Sequence, residues 1–311
     1  QIYYDRLKKA FEYLETQVEK GRIQYYGISS NTFPNGFLDM SHTSLETCLS
    51  IAESISDSHH FKVIQCPCNL FEPDYLVTKN QSNQRKTTSE IANEHQLGVL
   101  INRPLNSIYH HHLFRLVELD IEPEVSLLEI QDELHQLSVV EEGINEVLTP
   151  DIPFAFKTTI DSMLQSDCTI FRWFDFCSYY LLPDVELRVS ECVFTEEDDQ
   201  KTLLMEQYLG GINGLVRLIK SYYTGIHNER ALRLKNYIND RIPTLKAPFS
   251  LSNKAIRALR QVPSVSSVLV GMRRSIYVES VVNELSCLVN EVTEDSIWSV
   301  LNQFDKIDVK K

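Results

Sequence analysis

Three times in its first hundred residues the chain passes from a helical pattern into a short apolar strand that stops at a polar cluster. Tyr4, Leu7, Phe11, Leu14 and Val18 recur at helical spacing over residues 3–20, and Gly21 is placed to cap that helix. Residues 22–28 then read as a strand running into Ser29-Ser30-Asn31-Thr32. Thr43 and Glu46 read as a capping box, opening a helix with Leu45, Cys48, Leu49, Ala52 and Ile55 on one face. Residues 61–66 are a second strand, ending at Gln65-Cys66-Pro67-Cys68-Asn69. Thr87 and Glu90 form another capping box, and Gly98-Val99-Leu100-Ile101-Asn102 is a third strand leading into Arg103-Pro104-Leu105. Such alternation with short loops predicts a parallel sheet with right-handed crossovers. In sheets of that kind ligands bind beyond the carboxyl ends of the strands, where the polar clusters fall.

A fourth strand is expected far downstream, over residues 265–270. Its Val and Leu run lacks polar alternation, which suits a strand covered on both faces. Gly271 would let the backbone turn sharply and approach a ligand closely. Met272, Arg273 and Arg274 follow, and a helix opening beside two arginines makes a natural phosphate site. The plainer reading is a core strand followed by a solvated basic turn.

Between the third and fourth strands the alternation stops. Helices are expected over 127–147, from near Pro153, over 203–223 with a weak point at Gly210-Gly211, and over 231–242. Residues 170–176 are rich in aromatics, and 196–199 read as a solvated acidic helix start. The expected organisation is therefore 1–106 as βα units, 107–249 as a helical insertion, and 250–311 as a last unit with terminal helices. Further helices are expected at 250–259, 278–290 and 297–304.

A net charge of −13 opposes non-specific binding to nucleic acid. Nowhere does an apolar run approach the roughly 20 residues of a membrane span. Seven cysteines without framework spacing suit a reducing cytoplasm, with Cys66 and Cys68 as structural thiols. The Tyr109-His110-His111-His112 run reads as a solvated loop rather than an opportunistic metal site, since consecutive histidines point in different directions, and no metal site is expected.

The strand ends together resemble the aldo-keto reductase family. Residues 20–31, Lys-Gly-Arg-Ile-Gln-Tyr-Tyr-Gly-Ile-Ser-Ser-Asn, are similar to its fifth strand, G-K-I-R-x-x-G-V-S-N. Gln65-Cys66-Pro67-Cys68-Asn69-Leu70-Phe71-Glu72 is similar to the sixth, Q-x-x-Y-N-L-L-E, and residues 98–105 to the seventh, G-V-x-A-x-x-P-L. Residues 265–279 resemble the eighth, V-x-x-V-I-V-G-x-R, with its following helix. The resemblance covers roughly half of the chain and leaves out the helical insertion.

The resemblance implies an α/β fold, the C-terminal half of a (β/α)8 TIM barrel with four parallel strands, and NADP (as NADPH) at the carboxyl rim. Ser29 with Ser30 or Asn31, and Gln65, would meet the nicotinamide carboxamide. Arg103, Pro104 and Leu105 would line the pyrophosphate path. Gly271, Met272, Arg273 and Arg274 would hold the adenosine phosphate, with Glu279 toward the adenine. Asn102 stands where the family often has a stacking aromatic, and Tyr277 and Val281 stand where it has Gln and Asn.

The family's Asp, Tyr, Lys and His tetrad belongs to strands one to four, and no D-x-A-x-x-Y motif occurs here. No catalytic residue is therefore expected in this chain. The expected function is the cofactor half of a cytoplasmic carbonyl or alcohol oxidoreductase, as a fragment or a remnant, completed by an N-terminal barrel half and inactive alone. A non-catalytic scaffold, contacting a partner through residues 107–249, is the alternative.

Overall fold

The computed structural model describes residues 2–109, 112–150, 152–192, 199–246, 248–288 and 295–308. Residues 1–117 with 233–311 form one compact unit, and 118–232 form another.

In the first unit, α1 (Ile2–Glu19) leads to β1 (Tyr26–Ser29), α2 (Leu45–Ile55) to β2 (Phe61–Pro67), and α3 (Asp74–Val77) into a hairpin of β3 (Lys79–Gln81) and β4 (Lys86–Thr87). Next come α4 (Thr88–Glu94), β5 (Gly98–Asn102) and a second hairpin, β6 (Asn106–Tyr109) with β7 (His112–Arg115). Both hairpins were unforeseen, because strands of two to four residues carry too little periodicity to register. The second unit holds α5 (Leu127–Leu148), α6 (Phe156–Leu164), α7 (Ile170–Phe176), a π-helical turn at Cys177–Leu181, and α8 (Leu182–Glu191). It also holds most of α9 (Asp199–Arg241), whose last residues belong to the first unit. That unit is completed by a 3-10 turn (Pro243–Leu245), α10 (Leu251–Arg260), β8 (Ser267–Val268), α11 (Ser275–Leu285) and α12 (Asp295–Asp308).

The main sheet has four parallel strands in the order β1-β2-β5-β8. One face is closed: Ile64, Cys66, Val99 and Ile101 are fully buried there. Phe11 of α1 stacks on it at the β1 end, its ring 4.9 Å from Tyr26 and 5.1 Å from Phe61. The other face is open. Ser29, Gln65, Leu100 and Ser267 are paired in one row across the four strands, and all are half-buried or exposed. Parallel sheets ordinarily bury both faces. The side chain period of two puts one set of residues under the helices and the alternate set on this bare surface.

Two glycines explain themselves. Gly21 takes a left-handed φ of 67° and ends α1, as expected. A Cβ on Gly27 would collide with the Val63 carbonyl, at the irregularity where β1 meets β2. Gly271, by contrast, is not left-handed and a Cβ there would meet open space, so the turn after β8 does not need a glycine.

Other expectations shift. The Thr87–Glu90 capping box is present in full. The one expected at Thr43 is not: Ser44 is the N-cap, accepting from the Thr47 amide, while the Glu46 carboxylate takes the Ser82 amide and hydroxyl from the β3–β4 turn. The fourth strand shrinks to two paired residues, and Leu269 is 40% exposed; among the described residues no strand pairs with the outer edge of β8. The two helices expected over 203–242 are one helix of 43 residues. A Cβ added at Gly211, within this helix, would lie 3.5 Å from Leu137 Cδ1, so the helix is packed closely at its locally weak point and tertiary packing overrides the propensity. Of the acidic run at 196–199, all but Asp199 lies outside the described residues, as do His110 and His111.

Candidate functional site at the carboxyl ends of the parallel strands

The strand ends converge on the open face. Ser29 and Gln65 are register partners on adjacent strands, and Ser29 is exposed. Asn31 reaches over β2 to Asn102, whose Nδ2 donates to Asn31 Oδ1 at 3.2 Å. Asn102 thus bridges two strand ends rather than presenting a flat surface. Ser30 turns away into a ring of three hydroxyls: its Oγ lies 3.0 Å from Thr32 Oγ1 and 2.9 Å from Thr43 Oγ1, which are 2.8 Å apart. That ring fixes the loop after β1, so of Ser29 and Ser30 it is Ser29 that stands on the open face.

Below the rim, Asn69 organises the loops after β2 and β5. It is fully buried, and its Nδ2 donates to Glu72 Oε2 at 2.8 Å and to the Arg103 and Asn106 carbonyls at 3.3 Å. Its Oδ1 accepts from the Phe71 and Glu72 amides, and its carbonyl accepts from Trp298 Nε1 at 3.0 Å. Trp298 is itself buried on α12 and fastens that helix beneath the loop. The sequence marks Asn69 only as part of the polar cluster after the second strand and gives Glu72 no role in the site; the Asn-x-x-Glu spacing within 69–72 is the available signal. Arg103 has a left-handed φ of 52°, and its guanidinium lies 3.5 Å from Glu72, so its charge is matched. Leu105 is half-buried beside it.

Beyond β8, Gly271, Met272, Arg273 and Arg274 are all exposed, with Arg274 over the Tyr277 ring at 5.6 Å. Arg274 occupies the N-cap position of α11 and supplies no side-chain cap, so the first amides of that helix have no side-chain partner from it. Glu279, one turn further on, is exposed as well.

Away from the rim, chemistry is muted. Burial pushes the Cys66 thiol far above its usual range, in keeping with a structural role for Cys66 and for the equally buried Cys68. Among the described residues no helix is long and apolar enough to cross a membrane.

No family model matches the chain, and no curated protein matches it significantly. The resemblance to the reductases therefore rests on the four strand-end motifs.

Proposed function

We propose that this chain is the cofactor-binding half of an NADP-dependent reductase of the aldo-keto type, a four-stranded half of a (β/α)8 barrel. The observation that carries the proposal is the pairing of an open sheet face with two unlike ends on one rim. Amide-recognising groups, Ser29 and Gln65, lie at β1 and β2, and the cationic pair Arg273 and Arg274 lies beyond β8. Three interstrand steps of about 4.8 Å separate the two ends by about 14 Å, a span suited to an elongated dinucleotide. Arg103 and Leu105 line the path between them. With the Arg103 charge held by Glu72, the arginines after Gly271 are the cations left for a ribose phosphate.

In this reading the nicotinamide delivers hydride to a carbonyl, or takes it from an alcohol. The acid comes from a tetrad on an N-terminal barrel half that covers the open face. The barrel closes with eight strands, so both sheet edges, β1 and β8, have parallel neighbours in the complete protein.

NADPH fluorescence titration of the full-length protein tests it. Wild type should bind with at least a tenfold preference for NADPH over NADH, and Arg273→Ala/Arg274→Ala should abolish the preference. Failure of wild type to bind NADPH overturns the proposal. A scaffold role is the second reading, favoured by Tyr179 and Tyr180, 73% and 68% exposed on the π-helical turn.

A further inference from the structure

Helix α11 is held by charge and hydrogen bonds, with most of its apolar side chains left outside and Val281 alone among them half-buried. Glu284 is its one fully buried residue, whereas Ile276, Val282 and Leu285 are all more than half exposed. The contacts form two matching stripes. On α11, Ser280 and Glu284 are one turn apart; on α10, Asn253, Arg257 and Arg260 follow at i, i+4 and i+7, so each set shares a face.

Asn253 and Ser280 exchange bonds, Ser280 Oγ donating to Asn253 Oδ1 at 3.1 Å and Asn253 Nδ2 to the Ser280 carbonyl at 3.3 Å. Each Glu284 oxygen takes one guanidinium: Oε2 faces Arg257 Nη1 at 3.2 Å, and Oε1 faces Arg260 Nη1 at 2.8 Å. Arg260 also donates to the Glu284 carbonyl at 2.8 Å, and Arg257 to the Leu288 carbonyl. Arg257 is steadied from behind by the Phe249 ring, 4.8 Å from its guanidinium carbon. The α10 end is immobile in turn. Eight of its ten residues are buried, and Lys254 donates to Asn239 Oδ1 at 2.7 Å and the Leu245 carbonyl at 2.6 Å.

We propose that this polar zipper is the device that aims the arginine clasp, and so sets the preference for a 2′-phosphorylated cofactor. Asn253, Arg257, Arg260, Ser280 and Glu284 are positioning residues. They touch no cofactor and act through α11, whose start carries Arg273 and Arg274. Ten residues separate Arg274 from Glu284, about 15 Å of helix. Pivoting by roughly 10° about the Glu284 end displaces the start by about 2.6 Å, more than a hydrogen-bonded phosphate tolerates. Apolar packing would resist such tilting only weakly here, because all the apolar side chains of α11 but Val281 are exposed. A ligand without the 2′-phosphate makes no use of the clasp, so its affinity is blind to the tilt.

The inference rests on the cofactor reading above, and one experiment separates their failures. Dissociation constants for NADPH and NADH are measured with the full-length protein, its Glu284→Gln and Ser280→Ala variants, and Arg273→Ala/Arg274→Ala. Glu284→Gln keeps the side-chain shape but leaves the buried Arg257 and the half-buried Arg260 guanidiniums facing a neutral amide. The expected result is a tenfold or greater loss of NADPH affinity, with NADH changed less than twofold. Ser280→Ala, at a half-exposed position, should lower the ratio by twofold to fivefold; it decides the matter if circular dichroism shows Glu284→Gln unfolded. A general structural role would weaken both cofactors equally, and that outcome overturns the inference while leaving the cofactor reading in place. Absence of any NADPH preference in wild type, unmoved in Arg273→Ala/Arg274→Ala, overturns both.

Discussion

The two edges of the parallel sheet are built on opposite principles. At the β1 edge, α1 is seated by aromatic burial: Phe11, 1% exposed, packs against Tyr26 and Phe61. At the β8 edge, α11 is seated by a buried glutamate between two arginines, and most of its apolar residues are exposed. Apolar burial is non-directional, whereas charge-assisted hydrogen bonds fix one geometry and contribute little net stability once desolvation is counted. The difference teaches that the β1 side supplies stability and the β8 side supplies aim.

The largest expected break in this contrast is at Phe11. Phe11→Ala should cost about 3–5 kcal/mol, the usual range for emptying a buried aromatic site. Urea unfolding followed by circular dichroism measures it; a cost under about 1 kcal/mol would mean that the β1 edge is not held by its aromatic cluster.

How much of this was legible in the sequence depends on whether an element is decided locally. Gly98–Asn102 was foreseen residue for residue, because a glycine, an apolar run and a polar stop coincide there. The Thr87–Glu90 box was legible for the same reason. The run at 265–270 does hold the fourth parallel strand, but only Ser267–Val268 pair and Leu269 is exposed, since apolar composition does not reveal how far an outer strand pairs or whether both of its faces are covered. One 43-residue helix is expected as two, 203–223 and 231–242, because Thr224, Gly225, His227 and Asn228 are weak helix formers locally, while the packing that buries Thr224 and His227 is not visible in the local sequence. At the site, Ser29, Gln65, Arg273 and Arg274 do lie on or beside the open rim, yet the partners that divert Ser30 and Arg103 come from elsewhere in the chain. Thr43 is 13 residues from Ser30, and Glu72 lies on a different loop from Arg103. Glu284 had no signal at all: a glutamate on an apolar helix reads as its solvated face.

A smaller effect should distinguish the edges by pH. Glu15, on α1, accepts from the His60 amide at 2.7 Å and lies 2.8 Å from its ring Nδ1. Burial alone would raise the Glu15 carboxyl, but the His60 amide and ring more than offset this and hold it below the usual carboxylate range. A carboxylate depressed on folding contributes stability above its unfolded value, about 4.3, and loses it as pH falls through the folded value. Glu15→Gln should therefore cost roughly 1–2 kcal/mol at neutral pH. The gap to wild type should close progressively as pH drops below about 4.3. A gap independent of pH would show that hydrogen-bond geometry, not charge, is what Glu15 contributes.

The smallest expected change is the sharpest probe of the β8 edge. Val282 and Leu285 on α11 are 51% and 56% exposed, and neither joins the polar zipper. Val282→Ser/Leu285→Ser should leave the thermal midpoint of the 311-residue chain nearly unmoved, within about 0.5 kcal/mol, as for other surface sites. Burying both side chains would instead be worth about 1.5–3 kcal/mol each. A cost above about 1.5 kcal/mol in the isolated chain would mean that α11 is seated by its apolar face after all. The contrast between the edges would then collapse, and with it the reason to assign aim to the arginine–glutamate zipper. A neutral result in the isolated chain, turning costly only when an N-terminal barrel half is supplied, would place that half directly on α11. The outward-facing apolar stripe would then be the docking side of a helix whose polar side faces α10.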